Sequence, residues 1–297
     1  MKKSILFLLC IGLNSCFLFP KDPTPIVVEP SLPSFADTPL VLPVTGGLLD
    51  EASGVARSTT FSNALWIIED SGNKPGLHLL GTDGTYKKFV DFRGNNRDWE
   101  DLASGPGPTE GVNYVYVPDI GDNNVVYPEY YIYRFPEPTA NQSVIDSYET
   151  IKFKYPGGVS YNAETLLLDP KTKDLYVITK DQFNVRVYYL KYPQPINTSF
   201  EAEYLGDIPY FQMTAGDISP DGTEILLKNY LAVYYWKKKD SETFYQTLKR
   251  NRDIGAPYFR EHQGESICWD INAKGYYTIS ERGDQAKIPD LYYYFKK

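Results

Sequence analysis

Short apolar runs recur along the chain, each entered through a stretch of turn-forming residues. Leu65–Ile68, Tyr114–Val117, Leu175–Ile178, Ile225–Leu227 and Tyr276–Ile279 follow Arg57–Ala64, Gly105–Asn113, Asp169–Asp174, Pro220–Gly222 and Asp270–Gly275. Pro fixes φ and Asp or Asn bonds its own backbone, so such stretches close tight connections. A further run follows in every case: Leu77–Leu80, Tyr130–Phe135, Val185–Leu190, Ala232–Trp236 and Leu291–Phe295. These runs are continuously apolar rather than alternating, as in strands buried on both faces. Ahead of each pair lies an acid among small residues: Glu51, Glu100, Glu164, Asp217 and Glu265, spaced 49, 64, 53 and 48 positions apart.

A repeat of about fifty residues with four strands per unit is the sequence form of a β-propeller. Fourth strands are expected near Lys87–Phe92, Thr150–Tyr155 and Glu203–Asp207, and less clearly after Thr243. The last unit stops at its third strand, while Pro39–Thr45 supplies a spare one, so the ring should close by pairing the two. Residue size supports radial sheets: small residues mark the first strands, and Tyr, Phe and Trp crowd the third, where blades splay apart. The expectation is an all-β fold, a single propeller of five blades. A sixth blade, or else a short helix, would have to come from the irregular Asp240–Tyr258 stretch.

The N-terminus has a different pattern. Lys2 and Lys3 precede the apolar run Ile5–Leu13, which is too short to span a bilayer and reads as a secretion signal. Leu13-Asn14-Ser15-Cys16 is similar to a bacterial lipobox, which implies lipidation of Cys16; the other reading is a plain secretory signal with Cys16 incidental. Residues 1–15 are thus expected to be a signal peptide, 16–38 a Pro-rich tether and 39–297 the propeller. The expected address is the bacterial cell envelope: outer membrane, lipid-anchored, facing the periplasm or exterior. Beyond Cys10 and Cys16 only Cys268 remains, which leaves no pair for a disulfide in a chain cut before Cys16. The net charge of −8 argues against a general nucleic-acid binder.

In a propeller the first strands line a central channel, so the five acids are expected to meet at one mouth. Asp70, Asp119, Lys180, Lys228 and Glu281 end the second strands and should lie beside them. Oxygen donors with two His and three Cys in the whole chain favour Ca²⁺ or Mg²⁺ over Zn²⁺. The candidate metal ligands are Glu51, Glu100, Asp119, Glu164, Asp217 and Glu265. Arg97, Trp99, Lys180 and Lys228 are candidates for ligand binding, and Glu100, Asp101 and Glu265 for catalysis. Equally, the repeat could copy acids that merely cap backbone N–H groups. His78, Cys268 and Lys237–Lys239 read as structural or solvated.

Asp98-Trp99-Glu100-Asp101, Asp119-Ile120-Gly121-Asp122-Asn123, Ala163-Glu164, Gly216–Gly222 and Gln263-Gly264-Glu265 resemble motifs of secreted bacterial β-propellers distantly similar to phytase-like and gluconolactonase-like propellers. The resemblance spans about residues 45–297 and implies the fold, with a divalent cation held by acids at the axis. No complete ligand set of either group aligns. Two functions remain open. One is binding of a small-molecule, glycan or protein ligand at the acidic mouth, the membrane being engaged through Cys16. The other is metal-dependent hydrolysis of a phosphoester, ester or lactone.

Overall fold

The computed structural model describes residues 32–46, 49–196, 198–283 and 288–297. The expected leader, Cys16 and the tether up to residue 31 lie outside them. Strand β1 (Leu40–Leu42) belongs to the last of five sheets. Blade 1 comprises β2 (Ala52–Arg57), β3 (Ala64–Glu69), β4 (Gly76–Gly81) and β5 (Tyr86–Phe92). In blade 2, β6 (Ala103–Pro106), β7 (Asn113–Asp119) and β8 (Tyr130–Pro136) come first. The short β9 (Val144–Ile145) then leaves to lie parallel to β5, and β10 (Glu149–Lys154) completes the sheet. Blade 3 has β11 (Ala163–Leu168), β12 (Leu175–Thr179) and β13 (Val185–Leu190); β14 (Phe200–Glu201) pairs back on β10 before β15 (Glu203–Ile208). Blade 4 holds β16 (Met213–Ile218), β17 (Glu224–Asn229), β18 (Val233–Lys237) and β19 (Ile254–Ala256). Blade 5 is β20 (Ser266–Trp269), β21 (Gly275–Ile279) and β22 (Leu291–Phe295), closed by β1.

The first strands β2, β6, β11, β16 and β20 contact their neighbours around the axis, making a five-bladed β-propeller. Closure is as the spare strand required: Leu40, Val41 and Leu42 pair with Tyr293, Tyr292 and Leu291. The clasp begins earlier than residue 39. Phe35 is buried against Tyr235, Trp269 and Tyr276, and Ala36 N–H bonds Phe295 O at 2.9 Å.

The irregular stretch of blade 4 holds no sixth blade. It contains α1 (Phe244–Lys249), whose Thr243 and Gln246 form a reciprocal capping box, and then β19 as the fourth strand. Phe244 and Leu248 turn inward to the cluster around Trp236. Large aromatic rings fill the widening gaps between sheets: Tyr155 meets Tyr188 across blades 2 and 3 at 4.5 Å between centroids. Packing to interior density at the periphery needs such volume. Among the described residues no helix is long and apolar enough to cross a membrane.

Candidate functional site

Where a second strand ends, one backbone bond ties it to the residue leading into the first strand. Asp70 N donates to Glu51 O, Gly121 N to Asp98 O, Lys180 N to Asn162 O and Glu281 N to Gln263 O. In blade 4 the matching residue is Tyr230, which follows Asn229, the partner of Met213. This tier is the channel mouth. Gly121 brings no side chain to it, and the space is taken by its neighbours. A Cβ there would lie 2.2 Å from Glu100 Oε1 and 2.5 Å from Asp98 Oδ2. Gly121 is therefore required for close approach rather than for φ.

Asp70, Asp98 and Glu100 each place one carboxylate oxygen within 4.8 Å of the other two. Burial pushes Asp70 up to about 7, with Asp98, Glu265 and Glu51 adding repulsion. Glu100 is raised well above the usual carboxylate range by burial, then by Glu164, Asp70, Glu265 and Asp98. Glu281 rises to about 9 through burial and Glu265. On the far side Lys180 pairs with Glu164 and Tyr230 and lies 3.8 Å from Glu265, whose Oε1 also accepts the Tyr230 hydroxyl. Burial opposes the Lys180 charge, but Glu164 and Glu265 hold it protonated. Burial still pushes Glu164 to about 8, and its Oε2 is buried without a hydrogen-bond partner.

Below this tier the channel is plugged. Asp101 is fully buried, and its carboxylate accepts N–H bonds from Leu102 (2.8 Å), Leu166 (3.0 Å) and Gly216 (3.2 Å), linking the first strands of blades 2, 3 and 4. Asp101 is thus an axial tie that no substrate reaches, and its candidacy for catalysis falls.

Other expectations need correction. Asp217 does not join the mouth. It lies near the opposite end of β16, where Oδ2 takes Arg57 Nη1 at 2.7 Å and Trp269 N at 2.9 Å. Bulges in β11 and β16 show why: the skipped positions are Glu164 and Thr214, so Thr214 is the counterpart of Glu164. Lys228 is wholly buried, donating to Gly264 O with its ammonium 4.6 Å from the Tyr258 ring; burial drops it to about 8. Trp99 is also fully buried, its Nε1 on Asn95 O and its ring against Phe92. Neither side chain is exposed at the mouth.

Arg97 and Asp119 answer each other. Nε donates to Oδ1 at 3.1 Å, while the guanidinium lies 3.9 Å from the Tyr127 ring centroid. Asp119 has no exposure and belongs to this pair. Glu51, half-buried, accepts from Asn73 Nδ2 at the edge of the mouth. His78 is structural as expected: its Nε2 faces Glu69 at 3.0 Å and Nδ1 the Tyr86 hydroxyl at 3.1 Å.

Two features escaped sequence reasoning. Asp70 is expected beside the mouth and Asp98 within the acidic Asp98–Asp101 motif, but their convergence with Glu100 as a trio is not. Glu137 has no local signal at all. It gathers Ser58, Thr59, Thr60, Trp66 and Asn113 on one carboxylate at the other end of the blades. No protein-family model matches the chain, and no curated protein is significantly similar to it.

Proposed function

We propose that this propeller is a ligand-binding protein whose mouth takes up a hard divalent cation, Ca²⁺ or Mg²⁺, on Asp70, Asp98 and Glu100, and that it works outside the cytoplasm, tethered through a lipidated Cys16. The observation that carries the reading is the convergence of those three carboxylates within 4.8 Å of one another. None of the three forms an ion pair with a side chain among the described residues, whereas Glu164 and Asp119 do. All-oxygen donors suit Ca²⁺ or Mg²⁺. The residues fit the ion further in that Gly121 leaves room for the carboxylates to approach, and the orphaned Oε2 of Glu164 adds donor capacity nearby. Extracellular oxygen sites of modest charge bind Ca²⁺ with Kd of about 0.1–1 mM.

Isothermal titration and terbium luminescence test this directly. Stoichiometric binding lost in Asp70→Asn and Glu100→Gln supports the reading; binding that survives both variants removes it. A second reading, metal-assisted hydrolysis of a phosphoester, ester or lactone, draws on Lys180, whose ammonium lies among the acids where an anionic group would be held. Turnover that survives EDTA and Glu100→Gln would dispose of it.

A further inference from the structure

Six large apolar side chains stand exposed in the mouth-side connections. Val125 and Val126 (51% and 63% exposed) sit between β7 and β8, and Val159 (43%) leads into β11. Phe183 (82%) tips the β12–β13 hairpin, Leu231 (53%) the β17–β18 hairpin, and Phe259 (57%) precedes β20. Their loops are pinned rather than loose. Asp122 accepts the N–H groups of Val126 at 2.9 Å and Tyr127 at 2.8 Å, and Asn229 Oδ1 those of Leu231 and Ala232 at 2.9 Å. Holding β-branched Val125 at φ 55° on the surface costs free energy. Between the loops run two clefts of about 390 and 460 Å³ that share Gln212 and border Lys180 and Tyr230. Large apolar side chains exposed on pinned loops around one face, with clefts between them, mark an interaction surface.

At its centre lies the opposite chemistry. Asp70, Asp98, Glu100 and Glu281 crowd one side, and Glu164 Oε2, on a residue only 2% exposed, is buried without a partner beside them. We propose that this face docks an extended basic polypeptide segment: its apolar side chains lie on the rim formed by Val125, Val126, Phe183, Leu231 and Phe259, and a Lys or Arg between them enters the acidic mouth. The inference rests on the mouth being the ligand site, but not on a metal occupying it. Charge complementarity selects the occupant, since an acidic segment or anionic surface would be repelled by the same carboxylates. The anchor arrangement is the common one, with apolar contacts for affinity and a central charge for register.

The test is selection from a phage-displayed library of random peptides, counter-selected on the double variant Phe183→Ser, Leu231→Ser. These two side chains are exposed, so folding and cation binding should be unchanged. The expected outcome is enrichment of sequences with Lys or Arg flanked by Leu, Ile, Val or Phe. A labelled enriched peptide should bind the parent at least about tenfold more tightly than the double variant. Its affinity should fall with salt and on replacing its basic residue by Glu. No enrichment over the double variant, or enrichment of acidic or glycine-rich neutral sequences, overturns the proposal. So does a concentration-dependent dimer abolished by Phe183→Ser, which would make a second copy the occupant. Calcium titration of the same preparations separates the two claims: peptide binding without Ca²⁺ binding sinks only the metal reading, and the reverse sinks only the docking surface.

Discussion

Glu100→Gln is the perturbation that most directly tests whether the mouth is built for an external cation. Two carboxylates 4.8 Å apart repel by about 3 kcal/mol when both are ionised, at an effective dielectric near 20. The amide removes two of the three pairs in the trio. Protonation limits how much of this repulsion the wild type feels. Asp70 titrates near 7 in the fold against about 3.9 in an unfolded chain, so its burial among acids costs up to about 4 kcal/mol once the pH exceeds 7. The sign follows from proton binding. A raised folded pKa means that the native state keeps protons the unfolded chain has released, so stability is full below about pH 4 and falls as pH rises through 7. Glu164 near 8 and Glu281 near 9 extend the decline into the alkaline range.

In EDTA at pH 8.5 the variant should therefore be more stable than wild type by about 2–4 kcal/mol, and the gap should shrink toward pH 5. At this chain length that is a Tm increase of about 5–12 °C. Saturating Ca²⁺ should close most of that gap: at a hundred times Kd the wild type gains about 2.7 kcal/mol, and the variant almost nothing. Thermal melts by circular dichroism over a pH series, with and without Ca²⁺, read every arm. A variant destabilised in EDTA at pH 8.5, or a wild type whose cation-free stability does not fall between pH 5 and 8.5, would refute the electrostatic reasoning.

Gly121→Ala should weaken Ca²⁺ binding at least about tenfold by calorimetry, with the far-ultraviolet spectrum preserved, because its Cβ would press on Glu100 and Asp98. Arg57→Ala should cost about 3 kcal/mol in urea denaturation by stranding the largely buried Asp217, and adding Asp217→Asn should restore part of it. Glu137→Gln should flatten the acid limb of the stability profile. Burial works against the Glu137 charge, but the donors from Ser58, Thr59, Trp66 and Asn113 hold its carboxyl below the usual range, so its contribution is present above about pH 4.5 and lost as pH falls. Phe35→Ala should cost about 3–5 kcal/mol, measurable by the same denaturation, since Phe35 fills the core of the closing blade.

The propeller was legible because its strands are stereotyped by packing. Val185–Leu190 and Leu291–Phe295 match the structure at both ends, and the unpaired Pro39–Thr45 run needed a partner that only the last blade could supply. The site was legible in kind but not in register. Ala215-Gly216-Asp217 repeats the small-plus-acid composition of Ala163-Glu164. A bulge at Thr214, however, sets the residue facing the mouth, and composition carries no record of where a strand skips a pairing. Lys180 and Lys228 look alike in sequence, yet Lys228 matches Ile178 in register, two positions short of Lys180, so Tyr230 stands at the mouth and the lysine is buried. Glu137 draws donors from 71 to 79 positions away on Trp66, Ser58 and Thr59, a separation no local pattern encodes.

These displacements also separate the two kinds of acid in the repeat. Asp101, Asp119, Asp217 and Glu137 are answered within the protein by backbone N–H groups, arginines or hydroxyls. Each can be explained by folding alone. Asp70 and Asp98 are answered only in part, by the Ser71 backbone N–H and the Ser71 side chain, and none of Asp70, Asp98 and Glu100 is matched by an ion pair among the described residues; at Gly121 the missing side chain leaves Glu100 and Asp98 the room to approach. A structural repeat copies residues that stabilise each blade, but this trio spans two blades and recurs in none of the others among the described residues. On the proposed reading, the cost that falls on the ligand-free state is relieved by protonation at low pH and by a bound cation at high pH, so the two should compete for the same carboxylates.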